Sequence, residues 1–271
     1  MAKGRLVLVG AGHMGGALAR GWLNRRAGAK PVIVDPKPSE AVTGWAASGK
    51  ITLNPQPQPA GTLVLAVKPQ LFGEIAQEVS RWVGEDTLIV SIMAGWRIDQ
   101  VAARLGTSRV VRVMPNTPGA VGQGVCLMAP GPASAQGDVE RARQLLQPLG
   151  WVEGPMSEEE LSLATGLSGS GPAYLFLLAE SLAAAGEAEG LDADRAMRLA
   201  RRTVIGAAAL MADSDTDPSE LRRAVTSPGG VTQAALDVLM GDDGMPLLFR
   251  KALRAAVQRD RQLARSAEDK E

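Results

Sequence analysis

Short runs of β-branched and aliphatic residues alternate with longer amphipathic segments through the first half of the chain. The runs are "RLVLV" (5–9), "PVIV" (31–34), "TLVLAV" (62–67), "DTLIVSI" (86–92) and "RVVRVM" (109–114). Each has the length and composition of a buried strand, and segments such as 14–26, 70–82 and 97–105 between them have the length of helices. Strand and helix in alternation predict a parallel sheet covered on both faces. A glycine-rich strand "GQGVCLMA" and a helix over 135–147 extend it. The pattern changes after "GWVEGPMSEEE", where Pro155 and Ser157 read as a boundary and a helix N-cap. Beyond it the chain is helical. "PAYLFLLAESLAAAGEAEG" and "RAMRLARRTVIGAAALMA" predict helices over 172–188 and 195–212, the first apolar around most of its circumference. A helix of that kind must be covered on several sides, so a second copy of the helical half is expected to complete its core.

Composition narrows the chemistry. The 271 residues, 45% of them hydrophobic, suffice for one large or two ordinary domains. Charges balance at 29 basic and 29 acidic, which gives no bulk electrostatic case for nucleic acid or an anionic membrane and leaves a small molecule as the expected partner. With one cysteine, Cys126, and one histidine there is neither an internal disulfide nor a zinc cluster to expect, and no metal site is assigned. Cys126 reads as a small buried hydrophobe. "MAKGRLVLVGAGHMGG" lacks the apolar run and cleavage site of a signal peptide, and Glu180 interrupts the longest apolar stretch, so a cytoplasmic location is expected.

Directly after the first strand comes "GAGHMGG". Gly10, Gly12 and Gly15 form G-x-G-x-x-G: a tight turn, a close approach of backbone to a pyrophosphate, and close helix–strand packing. Asp35 stands at the end of the second strand, twenty positions beyond Gly15, where a carboxylate accepts from ribose hydroxyls. That context predicts a dinucleotide site. A carboxylate at this place favours NADH over NADPH, whereas Lys37 offers an offsetting charge. His13, within the turn, is expected to touch phosphate or solvent. "LAVKPQ" (65–70), "SIMAG" (91–95) and "RVMPNTPG" (112–119) all fall at C-terminal strand ends, where open α/β sheets bind ligands. Asn116, between two prolines, presents a rigidly held amide for a nicotinamide carboxamide or a substrate group.

The second half contains no histidine, its lysines are Lys251 and Lys270 only, and Tyr174 is the only tyrosine of the chain. A dehydrogenase working on an alcohol or ketone moves a proton to or from oxygen, usually with a positioned His, Lys or Tyr. An imine nitrogen is basic enough to arrive protonated, so this composition favours reduction of a C=N bond. Near the C-terminus, "PSELRRA" and "TQAALDVL" are separated by Thr226, Ser227, Pro228, Gly229 and Gly230. Free backbone N–H groups at such a helix start suit a carboxylate, with the hydroxyls of Ser227 and Thr232 as further donors. An ordinary Ser/Thr cap after a Pro-Gly turn is the competing reading.

"GAGHMG", "AVKPQ", "MPNTP", "LSGSGPAY" and "LRRAVTSPGGVTQAALDVL" together resemble the pyrroline-5-carboxylate reductase family from about residue 5 to residue 262. The resemblance implies an α/β Rossmann-type N-terminal domain over 1–154, then an all-helical dimerisation and substrate-binding domain over 155–271, in at least a homodimer. It implies reduction of 1-pyrroline-5-carboxylate to L-proline with NADPH or NADH. On this reading Gly10, Gly12, His13, Met14, Gly15 and Asp35 take the adenosine and pyrophosphate end, and Ala66, Lys68, Pro69, Ala94 and Asn116 line the nicotinamide half. Ser227, Gly229, Gly230 and Thr232 cradle the substrate, with Thr232 at the ring nitrogen. Many members carry an Asn-Arg-Ser-like turn where this chain has "DPKPSE". Two other classes share the pattern less well: a β-hydroxyacid dehydrogenase, which needs a lysine that residues 157–190 lack, and a non-catalytic nucleotide-sensing Rossmann dimer.

Overall fold

The computed structural model describes residues 4–25 and 30–268. Its elements run, in chain order, β1 (Leu6–Val9), α1 (His13–Asn24), β2 (Val32–Val34), α2 (Glu40–Ala47), β3 (Thr52–Leu53), β4 (Thr62–Leu65), α3 (Pro69–Ser80), β5 (Leu88–Ser91) and α4 (Ile98–Leu105). Then follow β6 (Val110–Pro115), β7 (Gly124–Pro130), α5 (Gln136–Leu146), β8 (Gly150–Glu153) and α6 (Glu158–Ala164). The remainder is helical: α7 (Gly171–Ala188), α8 (Ala193–Ala212), α9 (Pro218–Ala224), α10 (Val231–Leu239) and α11 (Met245–Glu268). The expected α/β class with a helical C-terminal part is what the chain forms. The expected end of the first helix at residue 26 lies outside the described residues.

The strands make one sheet of eight, in the order β3-β2-β1-β4-β5-β6-β7-β8. All neighbours are parallel except β6 and β7. That exception has a simple cause. Only residues 116–123 join β6 to β7, too short a connection for the crossover that parallel strands need. Side chains alternate between two cores. Val7, Val9, Leu63, Leu65, Phe72, Ile89 and Met93 fill one face, while Leu8, Leu18, Trp22, Ile33, Val64, Val90 and Val111 fill the other. Cys126 is wholly buried in the second, and burial pushes its thiol up to about 12, so it stays protonated.

Two compact units result, one running to Gly169 and including the chain from Val257, the other Ser170–Ala256. The division falls after Gly169 rather than after residue 154. Residues following β8 belong with the sheet because of two contacts: Leu161 is buried in its core, and Glu158 Oε1 accepts from the buried Arg112 at 2.9 Å. Ser157 does cap α6, accepting from the Glu160 N–H at 3.2 Å while the Glu160 carboxylate accepts from the Ser157 N–H at 2.8 Å. A single π-helical turn, Thr165–Gly169, follows α6.

The helical unit has almost no core of its own. Its buried cluster consists of Ala183, Ala196 and Ala200, where α7 meets α8. Leu175, Phe176 and Leu177, consecutive on α7, are 51%, 61% and 60% exposed. An 18-residue window within Glu158–Ala188 reaches a mean hydropathy of 1.2, high enough by length and composition for a membrane span, a test that a core helix of a soluble protein also passes.

Candidate functional site

The strand order reverses at β1, which has β2 on one side and β4 on the other. At such a switch point the loops leave in opposite directions and open a crevice at the C-terminal strand ends. The turn Gly10–Gly12 lies there. Gly10 has φ +89°, and a Cβ on it would stand 2.7 Å from the Ala66 carbonyl oxygen. A Cβ on Gly15 would run into the Gly10 carbonyl oxygen and approach the Ala66 Cβ to 3.0 Å. Both glycines are therefore required by the fold itself. Gly12 is different. Its backbone is extended (φ −67°), and a Cβ there would meet nothing within 4 Å. Neither strain nor protein packing explains a glycine at 12, but close approach of a ligand does.

Gly12 is the N-cap of α1, and no side chain caps that helix. The first-turn N–H groups, those of His13 and Met14 among them, are left for an anion. A cavity of about 370 Å³ adjoins the turn, lined by Gly12, His13, Arg20, Ser39 and Trp45 among others. Asp35 reaches the same turn. Its Oδ2 accepts from the Ala11 N–H at 2.7 Å and its Oδ1 from the Lys37 N–H at 2.8 Å. A carboxylate has about four acceptor positions, so about two remain for ribose hydroxyls. The residues present thus fit a dinucleotide: a glycine turn with room, free N–H groups, and an acceptor for the ribose.

Ala66 follows β4 beside Gly10 and Gly15. Lys68 is the N-cap of α3 and contributes no side-chain cap, and Pro69 opens that helix. Ala94 is exposed after β5, next to Gly95 at φ +76°. Asn116 is not placed as expected. Its side chain turns inward, Oδ1 accepting from the Val125 N–H at 2.8 Å and Nδ2 donating to the Ser168 carbonyl at 3.0 Å. It ties β7 and the π-helical turn to the end of β6, and so orders the sheet's rim instead of offering its whole amide to a ligand.

In the helical unit Ser227, Gly229, Gly230 and Thr232 come together between α9 and α10. Gly229 takes φ +70°, which a side chain would resist. Gly230 is the N-cap of α10, its N–H donating to the Ser227 carbonyl at 3.0 Å, and no side chain caps the helix. Thr232 is the second helical residue and is exposed, and no side chain caps the helix start. The capping reading of Thr232 therefore does not hold. Sequence pattern did not mark Asn54, which follows β3 and binds the Asp35 backbone; the Asn-Pro pair ending a β run is the signal that points to a turn there.

A doubly wound sheet with a dinucleotide turn at its switch point, joined to a helical unit, defines a nicotinamide-dependent oxidoreductase. The NADP oxidoreductase, coenzyme F420-dependent family matches residues 5–95, and the pyrroline-5-carboxylate reductase dimerisation family matches residues 158–263. The chain is 36% identical to pyrroline-5-carboxylate reductase of Pseudomonas aeruginosa, with 97% of this chain and 98% of that one covered. A solved pyrroline-5-carboxylate reductase from Coxiella burnetii superposes with a TM-score of 0.87 at 30% identity, covering 96% of this chain and 98% of that one. A crystal structure of Plasmodium falciparum pyrroline carboxylate reductase with NADP bound gives 0.79 at 25% identity, covering 97% and 99%. The chain belongs to the pyrroline-5-carboxylate reductase family. That membership sets aside the hydroxyacid dehydrogenase and the non-catalytic sensor.

Proposed function

We propose that this chain reduces the C=N bond of 1-pyrroline-5-carboxylate to L-proline with NADH or NADPH, as a cytoplasmic homodimer. The unit that carries the sheet serves as the cofactor domain, and the helical unit Ser170–Ala256 carries the substrate loop and the apolar dimerisation surface. The observation that carries the substrate assignment is the uncapped N-terminus of α10, presented by Gly229 and Gly230 beside two free hydroxyls. Bound reduced nicotinamide supplies the hydride. The protein's own part is binding and alignment. First-turn N–H groups of α10 and the Ser227 hydroxyl hold the substrate carboxylate. Thr232 Oγ1 accepts the N–H of the protonated imine and keeps that proton on nitrogen, so the neighbouring carbon remains electron-poor. Gly10, Gly12, His13, Met14, Gly15 and Asp35 hold the adenosine and pyrophosphate end; Ala66, Lys68, Pro69 and Ala94 face the nicotinamide half. No group with a tuned proton affinity is needed, because rate comes from holding the reactants about 3–3.5 Å apart and in line.

The test follows the reduced-nicotinamide absorbance with pyrroline-5-carboxylate present. Steady cofactor loss with formation of proline is expected, and its absence with both cofactors would refute the reading. Thr232→Ala removes one hydrogen bond to a charged partner, about 1.5–3 kcal/mol, and should lower kcat/KM about ten- to a hundredfold. NADH affinity and dimerisation should be unchanged. An equal loss of stability with no selective effect on the imine would assign Thr232 to the helix alone.

A further inference from the structure

Among the described residues, Asn54 is the only non-glycine with positive φ, at +47°. Asn is one of the few side chains that take this left-handed region readily. Its backbone N–H donates to the Ile33 carbonyl at 2.9 Å, continuing the pairing of β3 with β2 by one residue. At that point the backbone turns away and the side chain takes over. Asn54 Oδ1 accepts from the Asp35 N–H at 2.8 Å, and Nδ2 donates to the Asp35 carbonyl at 2.9 Å. The amide thus reproduces, for one more residue, the two bonds that a strand neighbour would make. Asp35 is held at both backbone groups by Asn54 and at both carboxylate oxygens by the Ala11 and Lys37 N–H groups.

From this geometry we infer that Asn54 is a positioning residue for cofactor choice, fixing the Asp35 carboxylate against the glycine turn so that the site favours a free ribose 2′-hydroxyl over a 2′-phosphate. The inference rests on the reading that the turn holds a dinucleotide. A carboxylate on a loosely held loop can rotate away from an incoming phosphate. One pinned by two hydrogen bonds, on a backbone held by two more, cannot, and the repulsion between two anions is felt in full. Lys37, exposed two residues later, is the competing influence, since its ammonium would neutralise a phosphate.

The experiment measures Kd for NADH and NADPH by quenching of tryptophan fluorescence, with no substrate present, in the full chain. Wild type should bind NADH more tightly. Asn54→Gly keeps the left-handed backbone and deletes both amide bonds to Asp35, so it should weaken NADH about three- to tenfold, an indirect effect through the carboxylate those bonds orient, and narrow the gap to NADPH. Asp35→Ser should shift the ratio of Kd values toward NADPH. In the Asp35→Ser background Asn54→Gly should not move the ratio further, because there is no carboxylate left to position. A merely structural Asn54 would weaken both cofactors equally. Wild type that binds NADPH as tightly as NADH, an unchanged ratio in Asn54→Gly, or additive shifts in the double variant would each overturn the inference. None of these results depends on imine reduction, so failure of the proposed reaction would appear separately.

Discussion

Glycines of one motif carry separate duties, and substitution separates them. Gly15 is required by contact, since any Cβ there meets the Gly10 carbonyl. Gly15→Ala should destabilise the fold by about 1–3 kcal/mol, the cost of forcing atoms into a filled space. Gly12 meets nothing. Gly12→Ala should therefore leave thermal stability within about 1 kcal/mol of wild type while weakening both NADH and NADPH, because the added methyl occupies the approach of the pyrophosphate. Thermal melts and cofactor titrations on the two variants check this. If Gly12→Ala bound cofactor normally, the open space above the turn would not be the pyrophosphate site.

The same logic of local demand operates in whole elements, and α5 shows it. Its first turn carries Asp138, only 3% exposed at its side chain, which accepts from the Ala135 N–H at 3.0 Å and from Arg109 Nη2 at 2.6 Å. Burial alone would push the Asp138 carboxyl up, but the Arg109 guanidinium, the Ala135 N–H and the charge of Arg141 together hold it below the usual carboxylate range. A depressed folded value means stability that is present above the ordinary carboxylate pKa of about 4 and is lost as pH falls through the folded value. Asp138→Asn should cost about 1–3 kcal/mol at neutral pH, between the values for surface and buried pairs. Its urea midpoint should also fall less than that of wild type on acidification below about pH 4, and parallel curves would refute the assignment. Elements like α5 were legible in the sequence because apolar spacing and strand composition are local. So were α9 and α10 around their Pro-Gly turn. The two-residue β3, with Asn54 behind it, was not, since a strand that short has no period to read. Nor was β8, where "GWVE" offers one buried residue, Val152. Asn116 was placed on the right rim, but its inward turn depends on Val125 across the β6–β7 connection and on Ser168, 52 residues further on, which no local pattern reveals.

At the scale of the molecule, the helical unit poses a problem that one chain does not solve. Three alanines are its whole buried cluster, while Leu177 on α7 and Ile205 on α8 stand 60% and 55% exposed. A surface so apolar marks an interface, it lies in the region that matches a dimerisation family over 158–263, and the proposed homodimer would cover it with a second copy. In an isologous dimer every substitution appears twice. Leu177→Glu or Ile205→Glu should then remove two buried side chains of about 1.5–3 kcal/mol each per dimer, weakening association about a hundred- to ten-thousandfold even before the added charges are counted. Sedimentation at micromolar concentration should show wild type as a dimer or larger and either variant shifted toward monomer. Cofactor binding should persist in those monomers, because the turn, Asp35 and Asn54 all belong to the sheet-bearing unit, which has full cores on both faces. Reduction of the imine should fall with the dimer, since α10 sits in the unit that loses its covering. A wild-type chain that sedimented as a folded monomer would overturn the argument, for it would show that exposed apolar circumference is compatible with a stable helical unit of this size.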